Sequence, residues 1–238
     1  MALSATLPPL QLDRSRHAAP QVFDKLREFI VSLDLTPGTV LSRTDLAEAF
    51  GLSQTPIRDA LIRLSEEGLV DIYPQNATVV SRIDIKAARQ AQFLRRSIEL
   101  EIVHQLASRS DPLLISRLQS HIDVQRANRG ADQYPQFIAA DRAFHRDMHE
   151  AAGVNALWEL AQRYSGHVDR LRRLHLPESG KAERVIDDHQ RLVDAIAAQD
   201  PARAQDVLRQ HLSGTLNQID EICRNYPDYV LVGQKVPG

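Results

Sequence analysis

Residues 41–81 read LSRTDLAEAFGLSQTPIRDALIRLSEEGLVDIYPQNATVVS, and the punctuation inside this stretch decides the fold. Ser42 stands as an N-cap, with Asp45 three residues on to complete a capping box. The helix it starts, Arg43 to Phe50, turns Leu46, Ala47 and Phe50 inward, and Gly51 ends it. Ser53 caps the next helix, and Pro56 sits in its first turn, where a missing N–H does no harm. Ile57, Ala60, Leu61 and Leu64 form its buried stripe, and Gly68 stops it. Leu69 to Tyr73 and Thr78 to Ser81 read as short strands joined by a Pro74-Gln75-Asn76 turn.

Working outward, Val22, Leu26, Phe29, Ile30 and Leu33 recur at helical spacing, and Thr36-Pro37-Gly38 is a turn. Residues 19–83 thus predict a winged helix-turn-helix, preceded by a flexible tail over residues 1–18. In that arrangement the second helix of the pair enters the major groove by its N-terminal end. The polar residues there are Ser53, Gln54, Thr55, Arg58 and Asp59. Arg58 can contact guanine in bidentate fashion or hold a phosphate, and Gln54 can read an adenine edge. One such unit covers one half-site, so a homodimer on a near-palindromic operator is expected.

Beyond Ile83 the pattern changes to long amphipathic helices with almost no strand signal. Six are predicted, over roughly 84–108, 112–129, 134–151, 154–174, 181–199 and 201–225. The fold class is therefore mainly α: a winged helix-turn-helix, then an all-helical domain over residues 84–226 and a tail over 227–238. The helical domain is expected to bind metal and to dimerise. Asp141 and His145, four apart on one helix, point the same way, and His189 and His211 lie near the middles of two later helices. An Asp with three His suits a divalent metal, most readily zinc, with nickel or another divalent ion as alternatives. His149, four beyond His145, offers a competing stripe. His104, His121 and His175 also fall on helices.

Composition sets the bounds. The chain has 238 residues, 43% of them apolar, and a net charge of −2. Residues 1–83 carry 8 Lys and Arg against 10 Asp and Glu, so DNA contact must rest on a few well-placed cations. Cys223 is the single cysteine, which excludes an intrachain disulfide and fits a reducing cytoplasm. No apolar run reaches membrane-span length, and the first residues lack a secretory apolar stretch. The alternative to a regulator is a metal-dependent, hydrolase-like enzyme using the Asp/His site. No phosphate loop, dinucleotide glycine pattern or nucleophile elbow accompanies that site, and no catalytic residue is assigned.

The run from Leu41 to Ser81, above all GLSQTPIRDALIRLSEEGLV, resembles the GntR family of regulators. The resemblance implies DNA contacts from Ser53, Thr55 and Arg58 and a wing tip in the minor groove. With it, Arg43, Thr44, Gln54, Gln75 and Asn76 complete the expected DNA-contacting set. Gln54 stands where the family usually has Arg, and Asn76 where it usually has Gly. The segments DRAFHRDMHEAAGV, DDHQRLVDAIAAQD and ARAQDVLRQHL resemble the FCD effector domain of the FadR-type subfamily. That resemblance implies that Asp141, His145, His189 and His211 are metal ligands, that His149 is not, and that a small carboxylate binds at or beside the metal. It also implies that Arg95 faces the ligand cavity. Six helices rather than seven would place the chain nearer the vanillate-repressor-like branch.

Overall fold

The computed structural model describes residues 12–13, 15–73 and 77–231. In chain order its helices and strands are α1 (Ala18–Val31), α2 (Arg43–Phe50), α3 (Gln54–Glu66), β1 (Val70–Ile72), β2 (Thr78–Val80), β3 (Ile83–Asp84), α4 (Ile85–Ser108), α5 (Pro112–Ala127), α6 (Tyr134–Ala151), α7 (Asn155–Tyr164), α8 (Gly166–His175), α9 (Lys181–Ala197), α10 (Pro201–Ser213), α11 (Ile219–Asn225) and β4 (Val230–Leu231). The chain divides into two compact units. The first takes residues 1–88, 166–173 and 223–238, and the second takes 89–165 and 174–222.

The first unit is a three-helix core with a small wing. Val22, Leu26 and Ile30 of α1 meet Ile57, Leu61 and Leu64 of α3 in one buried cluster. Ser42 Oγ accepts from the Asp45 amide at 3.2 Å, which caps α2 as its sequence requires. Gly51 closes α2 at φ 64°, a left-handed conformation that a side chain would oppose. Ser53 occupies the N-cap position of α3, but its hydroxyl makes no capping bond, so side-chain capping of α3 is corrected. β1 and β2 pair antiparallel, with Val70 opposite Val80, and Val40 bridges to Val79 on the other side. The wing turn at residues 74–76 lies outside the described residues.

Residues 166–173 of α8 also belong to this unit. Arg170, fully buried, donates from Nη1 to the Ser81 carbonyl at 2.7 Å. The Asp84 amide donates to His167 Nδ1 at 3.0 Å. β3 pairs in parallel with β4. Burial, and then the nearby Arg170 charge, pull the His167 pKa down to about 4.

The second unit is helical. Leu118 and Ile122 of α5, Phe137, Phe144 and Met148 of α6, Leu192 and Ile196 of α9, and Leu208 of α10 share one core. Among the described residues eight α-helices follow Ile83, not six. The expected helix over 154–174 is two, parted at Ser165, whose hydroxyl bonds back to the Gln162 carbonyl at 2.9 Å. Gly166 follows, where an added Cβ would lie 2.6 Å from Leu69 Cδ2 of the first unit's own core. The expected helix over 201–225 also breaks, through Gly214 and a 3₁₀ turn at Leu216–Gln218. The count that pointed to the vanillate-repressor-like branch is therefore not met.

Candidate functional site

In the first unit, the residues expected at DNA are surface side chains. Arg43, Thr44, Ser53, Gln54, Thr55 and Arg58 are all exposed, while the neighbouring Ile57 and Ala60 are fully buried. Helical periodicity makes this division: the apolar stripe of α3 turns inward and leaves the polar N-terminal turn to solvent. Gln54 Nε2 donates to Thr44 Oγ1 at 3.3 Å, which ties the starts of α2 and α3 together. Arg58 Nη2 lies 3.7 Å from Asp59 Oδ1, with the Arg58 side chain 61% exposed. Such an exposed pair is weak enough for a phosphate or base edge to displace. Gln75 and Asn76 fall outside the described residues.

In the second unit, Asp141, His145, His189 and His211 come together from α6, α9 and α10. Each offers one ligand atom, and these atoms all lie within 4.8 Å of one another. His189 Nε2 sits 3.3 Å from His211 Nε2 and 3.6 Å from Asp141 Oδ1. His145 and His189 have no exposed surface, and the Asp141 side chain, 24% exposed, is the part of the cluster most open to solvent. Phe144 stacks on the His189 ring with centroids 4.1 Å apart and fixes its plane.

The backs of two of the rings, His145 and His189, are held by residues that sequence reading missed. Glu99, fully buried, accepts from His145 Nδ1 at 2.9 Å and from Arg95 Nε at 2.5 Å. Gln125 Oε1 lies 2.8 Å from His189 Nδ1, and Asp188 Oδ2 lies 3.5 Å from His211 Nδ1. Arg95, placed by expectation in the effector cavity, is 8% exposed and engaged with Glu99. His149 stands outside the cluster, with its Nδ1 2.9 Å from the His145 carbonyl. One signal for the missed residues was available: Gln125 continues the buried α5 stripe of Leu114, Leu118 and Ile122, where a polar residue needs a partner.

The electrostatics suit a cation. Burial, then the Arg95 charge, lower the His145 pKa to about 4, against the pull of Glu99. Burial, then neighbouring His211, hold His189 well below the usual imidazole range. Burial alone would raise Glu99, but Arg95 and His145 hold it well below the carboxylate range. Near neutral pH, His145 and His189 are therefore neutral and can each offer a lone pair. The buried His145 Nε2 has no hydrogen-bond partner. Three imidazoles and one carboxylate, with that acceptor aimed at no protein donor, fit a divalent metal ion.

Comparisons with known proteins agree with this two-part reading. Residues 18–80 match the bacterial regulatory proteins of the gntR family, and residues 90–214 match the FCD domain. An uncharacterized HTH-type transcriptional regulator from Streptomyces ambofaciens is 33% identical over 87% of this chain and 87% of its own length. The HTH-type transcriptional repressor RspR of Escherichia coli is 26% identical over 92% of this chain and 96% of its own. The solved structure of E. coli McbR/YncC shares the fold, with a TM-score of 0.72 at 21% identity, covering 89% of this chain and 99% of that one. Both relatives carry the names of transcription regulators, not of enzymes, so the hydrolase-like alternative gains nothing from them. The chain belongs to the GntR family of DNA-binding transcriptional regulators and carries an FCD domain behind its winged helix-turn-helix.

Proposed function

We propose that this regulator is a repressor whose operator affinity is set by a small organic acid bound at a metal centre in the helical domain. The observation that carries the reading is the convergence of Asp141, His145, His189 and His211 into one ligand set. Zinc is the favoured ion, with nickel or another divalent metal as alternatives, since imidazole nitrogen suits each. A divalent ion held there supplies positive charge and a coordination position for a carboxylate. Arg95 supplies the second anion contact. Repression is favoured because the relative RspR is named a repressor.

The division of labour follows the sequence. Residues 19–83 read DNA through Arg43, Thr44, Ser53, Gln54, Thr55, Arg58 and the wing tip at Gln75 and Asn76. Residues 84–226 bind metal and effector and form a homodimer, because operators with two-fold symmetry require a two-fold protein. Residues 1–18 serve as a tail. Within the stretch 227–238, expected as a tail, Val230–Leu231 is β4 and pairs with β3. The site of action is the cytoplasm, where the operator is; no described helix is long and apolar enough to cross a membrane. Coupling runs through the chain itself: α4 starts at Ile85, directly after β3, so a tilt of α4 changes the presentation of α3 to the half-sites.

The test is a screen of small organic acids against the metal-loaded full chain, scored by release from an operator obtained by selection from random DNA. The acid that releases DNA must itself bind more weakly when operator is present, by the same factor, because coupling between two ligands is reciprocal. A screen in which no acid changes operator affinity contradicts the proposal.

A further inference from the structure

Glu99 and Gln125 lie behind the histidine cluster, on α4 and α5, with no place in the ligand set itself. We propose that both are positioning residues for the metal centre: each fixes one imidazole in the tautomer whose Nε2 lone pair faces the cluster, and Glu99 at the same time holds the Arg95 guanidinium. The inference rests on the metal-site reading above and deepens it.

The argument is one of hydrogen-bond sense. A neutral imidazole has one N–H and one lone pair. An ionised carboxylate can only accept, so Glu99 at 2.9 Å requires the proton of His145 on Nδ1. The lone pair is then on Nε2, the buried atom that has no hydrogen-bond partner. Glu99 also accepts from the Arg95 guanidinium, whose Nε lies 2.5 Å away, the pairing of a carboxylate with a permanent donor. A buried carboxylate without such a partner would take up a proton instead.

Gln125 makes the same selection without charge. Its Oε1, 2.8 Å from His189 Nδ1, accepts the ring proton and leaves the lone pair on Nε2. The opposite amide orientation would donate to Nδ1 and drive the ring proton to Nε2, which lies 3.6 Å from Asp141 Oδ1 and 3.3 Å from His211 Nε2. A metal ligand cannot carry a proton on its donor atom. The two supports come from different helices and act on different histidines, yet both leave the same ring atom unprotonated. An ion pair serving only the packing of α4, or a chance polar residue on α5, has no reason to agree in this.

The experiment is zinc competition against a chromophoric chelator, made on the full chain, with the melting temperature of the metal-free form as a check on folding. Glu99→Gln and Gln125→Leu are each expected to weaken zinc binding about 10- to 100-fold, the usual effect of removing an outer-shell partner. Gln125→Glu keeps an acceptor at Nδ1 and restores most of what Gln125→Leu loses. Gln205→Leu provides the comparison for a merely structural role: Gln205 Nε2 bonds the Leu100 carbonyl, and its loss leaves zinc affinity unchanged. Wild-type zinc affinity in a folded Gln125→Leu chain would overturn the proposal, even if Glu99→Gln fails to fold. Absence of zinc binding by the wild type would remove the metal reading itself, a result distinct from zinc binding that the substitutions do not affect.

Discussion

On α3, Gln54, Thr55 and Arg58 stand in solvent, whereas on α6 and α9 His145 and His189 have no exposed surface at all. In the first group Gln54 and Arg58 make only exposed contacts, to Thr44 and Asp59; the second is tied internally, through Glu99 and Gln125. Exposed polar groups cost the fold little and can be changed one at a time. Buried ones act as a set, because an unpaired polar group in the interior is costly. The contrast predicts that substitutions on α3 alter DNA affinity and little else. Substitutions in the cluster should alter metal content and effector response while DNA affinity survives.

The largest effect expected is at the ligands. His189→Ala and His211→Ala each remove one of four donors and should deplete metal from the purified chain, beyond the ~10- to 100-fold loss of an outer-shell change. Elemental analysis of the wild type and both variants decides it. Stoichiometric metal in His189→Ala, or none in reconstituted wild type, breaks the contrast at its stronger end.

A buried imidazole in the first unit sharpens the comparison, because His167 serves the fold and no cluster. Its pKa is about 4 in the folded chain and about 6.5 when unfolded, lowered by burial and by Arg170. Between those values the unfolded chain binds the extra proton, so stability falls as pH drops from 6.5 towards 4 and levels off below. The share from His167 is at most about 3 kcal/mol, at 1.36 kcal/mol per unit. Urea unfolding at pH 7 and pH 4.5 should show a shallower loss in His167→Gln, whose amide oxygen can accept from the Asp84 amide in place of Nδ1. Equal losses in the two proteins would remove His167 from this role.

At the DNA surface, Arg58→Ala should weaken operator binding by about 1–3 kcal/mol, roughly 5- to 150-fold. Metal content should not change. An unaltered gel-shift affinity in the folded variant would displace Arg58 from the interface. Smaller still is the difference between two serines in the same motif. Ser42→Ala should cost about 0.5–2 kcal/mol of stability, because Ser42 caps α2. Ser53→Ala should stay within about 0.5 kcal/mol, because the Ser53 hydroxyl makes no capping bond. Denaturant midpoints of the two variants make the comparison.

The winged helix was legible because its signals are local: Ser42, Gly51, Pro56 and Gly68 each fix a turn or an end within a few residues. Asp141 and His145 were legible for the same reason, being one helical turn apart. Their partners were reached through resemblance to the FCD segments, since spacing alone left His149 in competition. In the structure His149 Nδ1 lies 2.9 Å from the His145 carbonyl, and His149 stands outside the four-residue cluster. Glu99 was hidden because its bond to His145 spans 46 residues, and Gln125 because its bond to His189 spans 64. The break at Ser165–Gly166 was missed because the close packing of Gly166 on Leu69, where an added Cβ would lie 2.6 Å from Cδ2, is a tertiary feature that no local pattern announces.

The central claim is that DNA is read in one unit while its affinity is governed from the histidine cluster in the other. The direct test is operator affinity of wild type and His189→Ala, each measured by fluorescence anisotropy with and without the acid that the screen identifies. The account predicts equal affinities without the acid, and a loss of affinity on its addition in the wild type alone. Equal responses to the acid in the two proteins would contradict it.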